Sequence, residues 1–102
     1  MVPAPEYLTL CWNGQSLGRI TEVVVYDWPW VCGRFAATNW PPDLRDAVEA
    51  ETRVARTGVE DELAAPYPTG FFAGWSVVDP NGVSNEIGTV RVDFATGEIE
   101  WR

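Results

Sequence analysis

Histidine and lysine are both absent from this chain of 102 residues, and methionine occurs once. Without histidine the chain lacks the commonest general base and metal ligand, so no Ser-His-Asp or Cys-His triad can form within it. Cysteine is nearly absent too. Cys11 and Cys32 have no CxxC spacing and are too few for the disulfide framework of a small secreted domain. A zinc site built from them and carboxylates would be unusual, and they read as two buried, reduced thiols. No GxxxxGK[ST] or GxGxxG loop is present to cradle a phosphate. The turn Asp79-Pro80-Asn81-Gly82 lacks the alternating acidic ligands of a calcium loop. No apolar run approaches the ~20 residues needed to cross a bilayer. The segment Met1-Val2-Pro3-Ala4-Pro5 has neither the basic region nor the apolar core of a secretory signal. The expectation is a soluble, cytoplasmic protein with no metal, no cofactor and no catalytic residue to assign.

Positive charge is scarce and of one kind. All seven bases are arginine, against 15 acids, for a net charge of −8. Such a surface repels nucleic-acid phosphates and anionic lipid and favours a basic partner. The arginine-only usage, with abundant Ala, Gly, Pro and Val, points to a GC-rich, bacterial coding genome. Residues 41–65 hold seven of the acids (Asp43, Asp46, Glu49, Glu51, Glu60, Asp61, Glu62) and three arginines, a net −4. Half of the excess charge therefore lies in a quarter of the chain.

What is abundant is aromatic. There are six tryptophans, and 46% of the chain is hydrophobic, enough for one compact core over residues 1–102, read as a single domain. Tyr7–Trp12 alternates and is rich in strand formers, Asn13-Gly14 is a strong hairpin signal, and Leu17–Trp28 returns as a longer strand. The middle of that return, Val23–Tyr26, is apolar on both faces, which suits a central strand. Pro29 cannot donate to a ladder, so pairing should falter there, with a short third strand over Gly33–Thr38. Trp40-Pro41-Pro42-Asp43 carries the signals of a helix start. At about 100° per residue, Leu44, Ala47, Val48, Val54 and Ala55 share one arc, and Arg45, Glu49, Thr52, Arg53 and Arg56 the opposite one. Glu49 and Arg53 stand in the favourable i,i+4 order, and Gly58 is a plausible stop. Glu60–Ala65 could add a short turn before Pro66 and Pro68. Phe71–Asp79 reads as a strand, Pro80-Asn81-Gly82 as a turn, and Val83–Phe94 as a long return with a bulge or twist at Gly88. Ala95-Thr96-Gly97 closes the last hairpin onto Glu98–Arg102. In that hairpin Val90, Val92, Phe94, Ile99 and Trp101 share a face, and Thr89, Arg91, Asp93 and Glu100 face water. The fold class is α+β: a mostly antiparallel sheet of five to six strands, in the order ββ(β)αβββ, with one main helix packed on one face.

The candidate binding residues are Asp27, Trp28, Trp30, Arg34, Trp40, Glu51 and Trp75. Asp27 to Phe35 concentrates aromatic, charged and turn residues, and Trp and Arg are the usual hot-spot anchors. Within it Trp28 is expected in the core and Trp30 at a contact surface, with Arg34 either a polar contact or a clamp onto Asp27. Glu51 falls within the apolar arc of the helix. A carboxylate there must snorkel to a sheet edge, pair with an arginine such as Arg34, or line a pocket between helix and sheet.

Three functional readings follow. The first is a small, acidic, non-catalytic protein-interaction domain of inhibitor or immunity type that binds a basic partner. The second is a small-molecule or carbohydrate-binding domain in which Trp30, Trp40 and Trp75 line a cleft. The third is an enzyme working through carboxylates alone, which requires two of Glu22, Asp27, Glu51 and Glu86 to converge. A homodimer through an exposed terminal strand, Glu98–Arg102, is also open.

Overall fold

The computed structural model describes residues 6–58 and 68–102. It has one helix and a seven-stranded antiparallel sheet, so the fold is α+β but mostly sheet. In chain order the elements are β1 (Leu8–Trp12), β2 (Gln15–Asp27), β3 (Trp30–Ala37), α1 (Pro42–Thr57), β4 (Trp75–Val78), β5 (Ser84–Glu86), β6 (Val90–Asp93) and β7 (Glu98–Trp101). The sheet order is β5-β4-β1-β2-β3-β7-β6.

The first hairpin follows directly from Asn13 and Gly14. Both take positive φ, 50° and 79°, in the two-residue loop that brings Trp12 opposite Gln15. Two differences from the sequence expectation concern β2 and β3. β2 stops at Asp27, which pairs with Trp30, so Trp28 and Pro29 form a two-residue turn across a cis peptide bond. β3 consequently starts at Trp30, three residues before the expected Gly33.

The stretch expected as one strand over Phe71–Asp79 is strand only from Trp75. Upstream, Phe71 N–H donates to Pro68 O and Ala73 N–H to Gly70 O, both at 3.0 Å, so the chain turns there. The long return over Val83–Phe94 divides at Gly88 into β5 and β6. The Ile87 amide donates to Trp75 O at 3.0 Å, and the next amide, Gly88, donates to Arg102 O at 2.8 Å. One continuous segment thus leaves β4 and joins β7, and the two ends of the strand order meet. The division of one expected strand into two explains why the strand count exceeds the five or six expected.

The helix begins on Pro42 with Asp43 in its first turn, and ends where Gly58 takes φ 69° and donates to Val54 O at 2.8 Å. Leu44, Ala47 and Val48 are buried, as the projection requires. The last two turns depart from it. Ala55 is exposed, while Thr52, placed on the polar arc, is 5% exposed. Its hydroxyl donates to Val48 O at 2.8 Å and accepts the Val92 amide at 3.0 Å. The helix therefore lies against β6 and supplies the acceptor that β6 lacks on its outer side.

Leu10, Leu17, Ile20, Phe35, Val92, Ile99 and Trp101 form the core with the helix residues. Val90, Val92, Ile99 and Trp101 share the inner face as expected, and Phe94 packs partly buried against it. The expected turn over Glu60–Ala65 lies outside the described residues.

Candidate functional site

Trp75 is a core residue, and Trp40 packs partly buried against the core. Trp75 is 3% exposed, its ring centroid lies 6.3 Å from Trp40 and 6.2 Å from Trp12, and its indole N–H donates to Phe71 O at 2.6 Å. Trp40 N–H donates to Leu17 O at 2.8 Å, and its ring meets Phe94 edge-on at 5.0 Å. Both indole donors are satisfied by backbone, as buried indoles require. Neither ring faces an open cleft shared with Trp30, so the expected three-tryptophan cleft is not formed.

Of the two tryptophans around Pro29, Trp28 departs from expectation: it is not in the core. Trp28 is 81% exposed. Trp30 is half-buried on the outer face of the sheet, with the Arg91 guanidinium 4.3 Å and the Arg102 guanidinium 5.1 Å from its ring centroid. The reason is the turn. Alternation along an unbroken strand would point both rings the same way, but Trp28 belongs to the hairpin turn and Trp30 to the returning strand.

Exposure at the end of this hairpin extends beyond Trp28. Val24 and Val25 are 54% and 56% exposed, although β2 is the middle strand of the sheet order. β1 pairs with β2 only as far as Leu8 opposite Ile20. Beyond that point β2 is paired with β3 alone among the described strands. An apolar run on both faces therefore does not mean burial here. A signal was available in the sequence. With a two-residue turn at Asn13-Gly14, a first strand of about six residues cannot flank a second strand of twelve, and the remainder must project.

Asp27, Trp28, Trp30 and Arg34 thus lie on one hairpin, and Asp27 and Arg34 are exposed. Arg34 does not clamp Asp27. Its Nε donates to Glu22 at 2.8 Å, because Glu22, with φ 53° at an irregularity in β2, stands beside it across the ladder. Nor does Arg34 pair with Glu51, since Arg34 extends from the outer face of β3 while Glu51 sits on α1 beneath the sheet. Glu51 lines a separate cavity of about 260 Å³ with Val54, Phe71, Trp75, Thr89 and Arg91.

A groove of about 460 Å³ runs over the outer face of β3, β7 and β6. Its charges come in cross-strand rows. Cys32, Glu100 and Arg91 stand side by side, as do Arg34, Glu98 and Asp93. Arg91 reaches Glu100 at 3.4 Å, and Arg56 reaches over from the helix to Asp93 at 2.6 Å. Arg34 opposite Glu98 and Arg91 opposite Glu100 are favourable cross-strand pairs, whereas Asp93 opposite Glu98 is a like-charged pair that Arg56 relieves. Glu22 lines this groove, Glu51 the other cavity, and Asp27 and Glu86 lie exposed and line neither. The four carboxylates of the enzymatic reading do not converge.

Among the described residues, Asp93 is the one acid held clearly below the ordinary carboxylate range. The Arg56 hydrogen bond is the largest cause, followed by amide donation from Thr96. A carboxyl whose folded pKa is depressed adds stability that is present above its unfolded pKa and lost as pH falls through the folded one. Asp93→Asn should therefore lower the melting temperature at neutral pH, with the gap to wild type closing below about pH 4. Thermal melts from neutral to strongly acid pH check this, and a gap that stays constant would refute it.

Cys11 and Cys32 are free and half-buried, and desolvation raises the Cys11 pKa. Among the described residues no group of three or more Cys, Asp or Glu is placed to hold a metal ion, and no helix is long and apolar enough to cross a membrane. β7, expected as an exposed terminal edge, lies between β3 and β6, so it offers no edge for a dimer.

No family model, curated protein or solved structure matches this chain.

Proposed function

We propose that the protein is a non-catalytic interaction domain of inhibitor or immunity type that binds a basic protein partner. The observation that carries this reading is Trp28. A large apolar side chain held 81% exposed at a hairpin turn costs solubility unless it is covered in a complex, and Trp is the residue most enriched at interface hot spots. The net charge of −8 supports a cationic partner, because such a surface speeds encounter with positive charge.

The test is capture on the immobilised protein from a lysate of its own cells, with wild type and Trp28→Ala side by side. The wild type is expected to retain a basic protein that raised salt releases. Trp28→Ala is expected to retain much less of it while its melting temperature stays within a few degrees of wild type. Equal retention by both would remove Trp28 from the interface.

A further inference from the structure

We propose that the β2–β3 hairpin enters a two-walled cleft of its partner, an apolar slot with a basic rim. The inference rests on the reading of the protein as a binder of a basic protein and specifies how the contact is made. Val24 and Val25 are neighbours in β2, so their side chains leave opposite faces of the ribbon. Val24 stands opposite Cys32 and Val25 opposite Val31. Both valines are more than half exposed. A flat partner surface covers one face of a ribbon and leaves the other valine wet. Only a partner that closes on both faces removes both from water. Trp28 leads the hairpin at its turn and calls for a pocket at the floor of the slot.

Charge sets the rim. Asp27 is exposed next to Trp28, in a chain with more than twice as many acids as bases. A cleft carrying Arg or Lys at its mouth complements it. Strand addition along the open side of β2 is the competing mode, and the backbone opposes it. The pairing register shifts between Thr21 and Val24 and again between Val25 and Asp27. Irregularities of this kind disrupt an edge as a template for another strand.

The probe is the protein that the immobilised full chain retains and raised salt releases, purified and titrated against five proteins: wild type, Val24→Ser, Val25→Ser, Trp28→Ala and Asp46→Lys. Asp46 is exposed on α1 and serves as an acidic site away from the hairpin. Circular dichroism melts confirm that each variant is folded. Trp28→Ala is expected to weaken binding about thirtyfold, and each valine variant about fivefold. A loss from one valine and not the other means a flat interface and overturns the inference. If the valine and tryptophan variants bind as wild type while Asp46→Lys does not, the hairpin is overturned and the basic partner stands. If wild type retains nothing, the partner reading fails and the inference fails with it.

Discussion

Replacing Trp75 with alanine should cost about 3–5 kcal/mol of folding stability, the range for deleting a large buried aromatic. Trp75 is 3% exposed and contacts Trp12, Trp40 and Phe71 at ring-centroid distances of 6.1–6.3 Å. Its indole N–H also holds Phe71 O at 2.6 Å, just before β4 begins. The substitution therefore opens a cavity and releases the turn that leads into the strand. Trp75→Phe keeps most of the apolar volume but loses the donor, so it should cost less, about 1–3 kcal/mol. Equilibrium unfolding in urea measures both. If Trp75→Ala unfolds at the wild-type midpoint, the ring is not part of the core and a ligand cleft at Trp75 returns as a reading.

The second large effect is expected at Thr52. Thr52→Val keeps the shape and removes one oxygen, and it should cost about 1–3 kcal/mol because the Val92 amide is left buried without an acceptor. Thr52→Ser retains the hydroxyl and should lose well under half of that. The contrast isolates the hydrogen bond from the packing. Amide exchange gives a second readout: the Val92 N–H should be strongly protected in wild type and in Thr52→Ser, and faster in Thr52→Val. Equal stability of the Val and Ser variants would show that α1 is held to β6 by apolar contact alone.

Both predictions depend on contacts across the fold, and they mark where the sequence was legible. Asn13-Gly14, Pro42 with Asp43, Gly58 and Ala95-Thr96-Gly97 are short-range signals. Each fixes a turn or a helix end through backbone preferences of the residue itself, and each turn or end lies where the sequence places it. The inward face of the last hairpin was legible for the same reason, since alternation in β6 and β7 is a local property. Thr52 stands four residues after Val48, at the border of the apolar arc, and its polarity alone assigns it to the wet side; the Val92 amide, which needs an acceptor, accounts for its burial. Trp28 is exposed where alternation along β2 predicts burial, because the strand ends at Asp27 and Trp28 falls in the turn.

The candidate site was legible in composition and not in geometry. Asp27, Trp28, Trp30 and Arg34 share one hairpin, as their closeness in the chain requires. Trp40, Trp75 and Glu51 are elsewhere: Trp75 in the core, Trp40 packed partly buried against it, and Glu51 at a separate cavity. The sequence by itself determined the turns, the helix ends, the alternating faces, the acidic excess and the lack of histidine-based chemistry, since these follow from each residue and its near neighbours. Tertiary structure alone decided the meeting of the two sheet ends at Ile87 and Gly88, the capping of β6 by Thr52, and the exposure of Val24, Val25 and Trp28. The physical reason is that burial depends on which strands flank a residue and how far they reach. β1 ends opposite Ile20, and no local preference of the valines beyond it could bring a neighbour alongside.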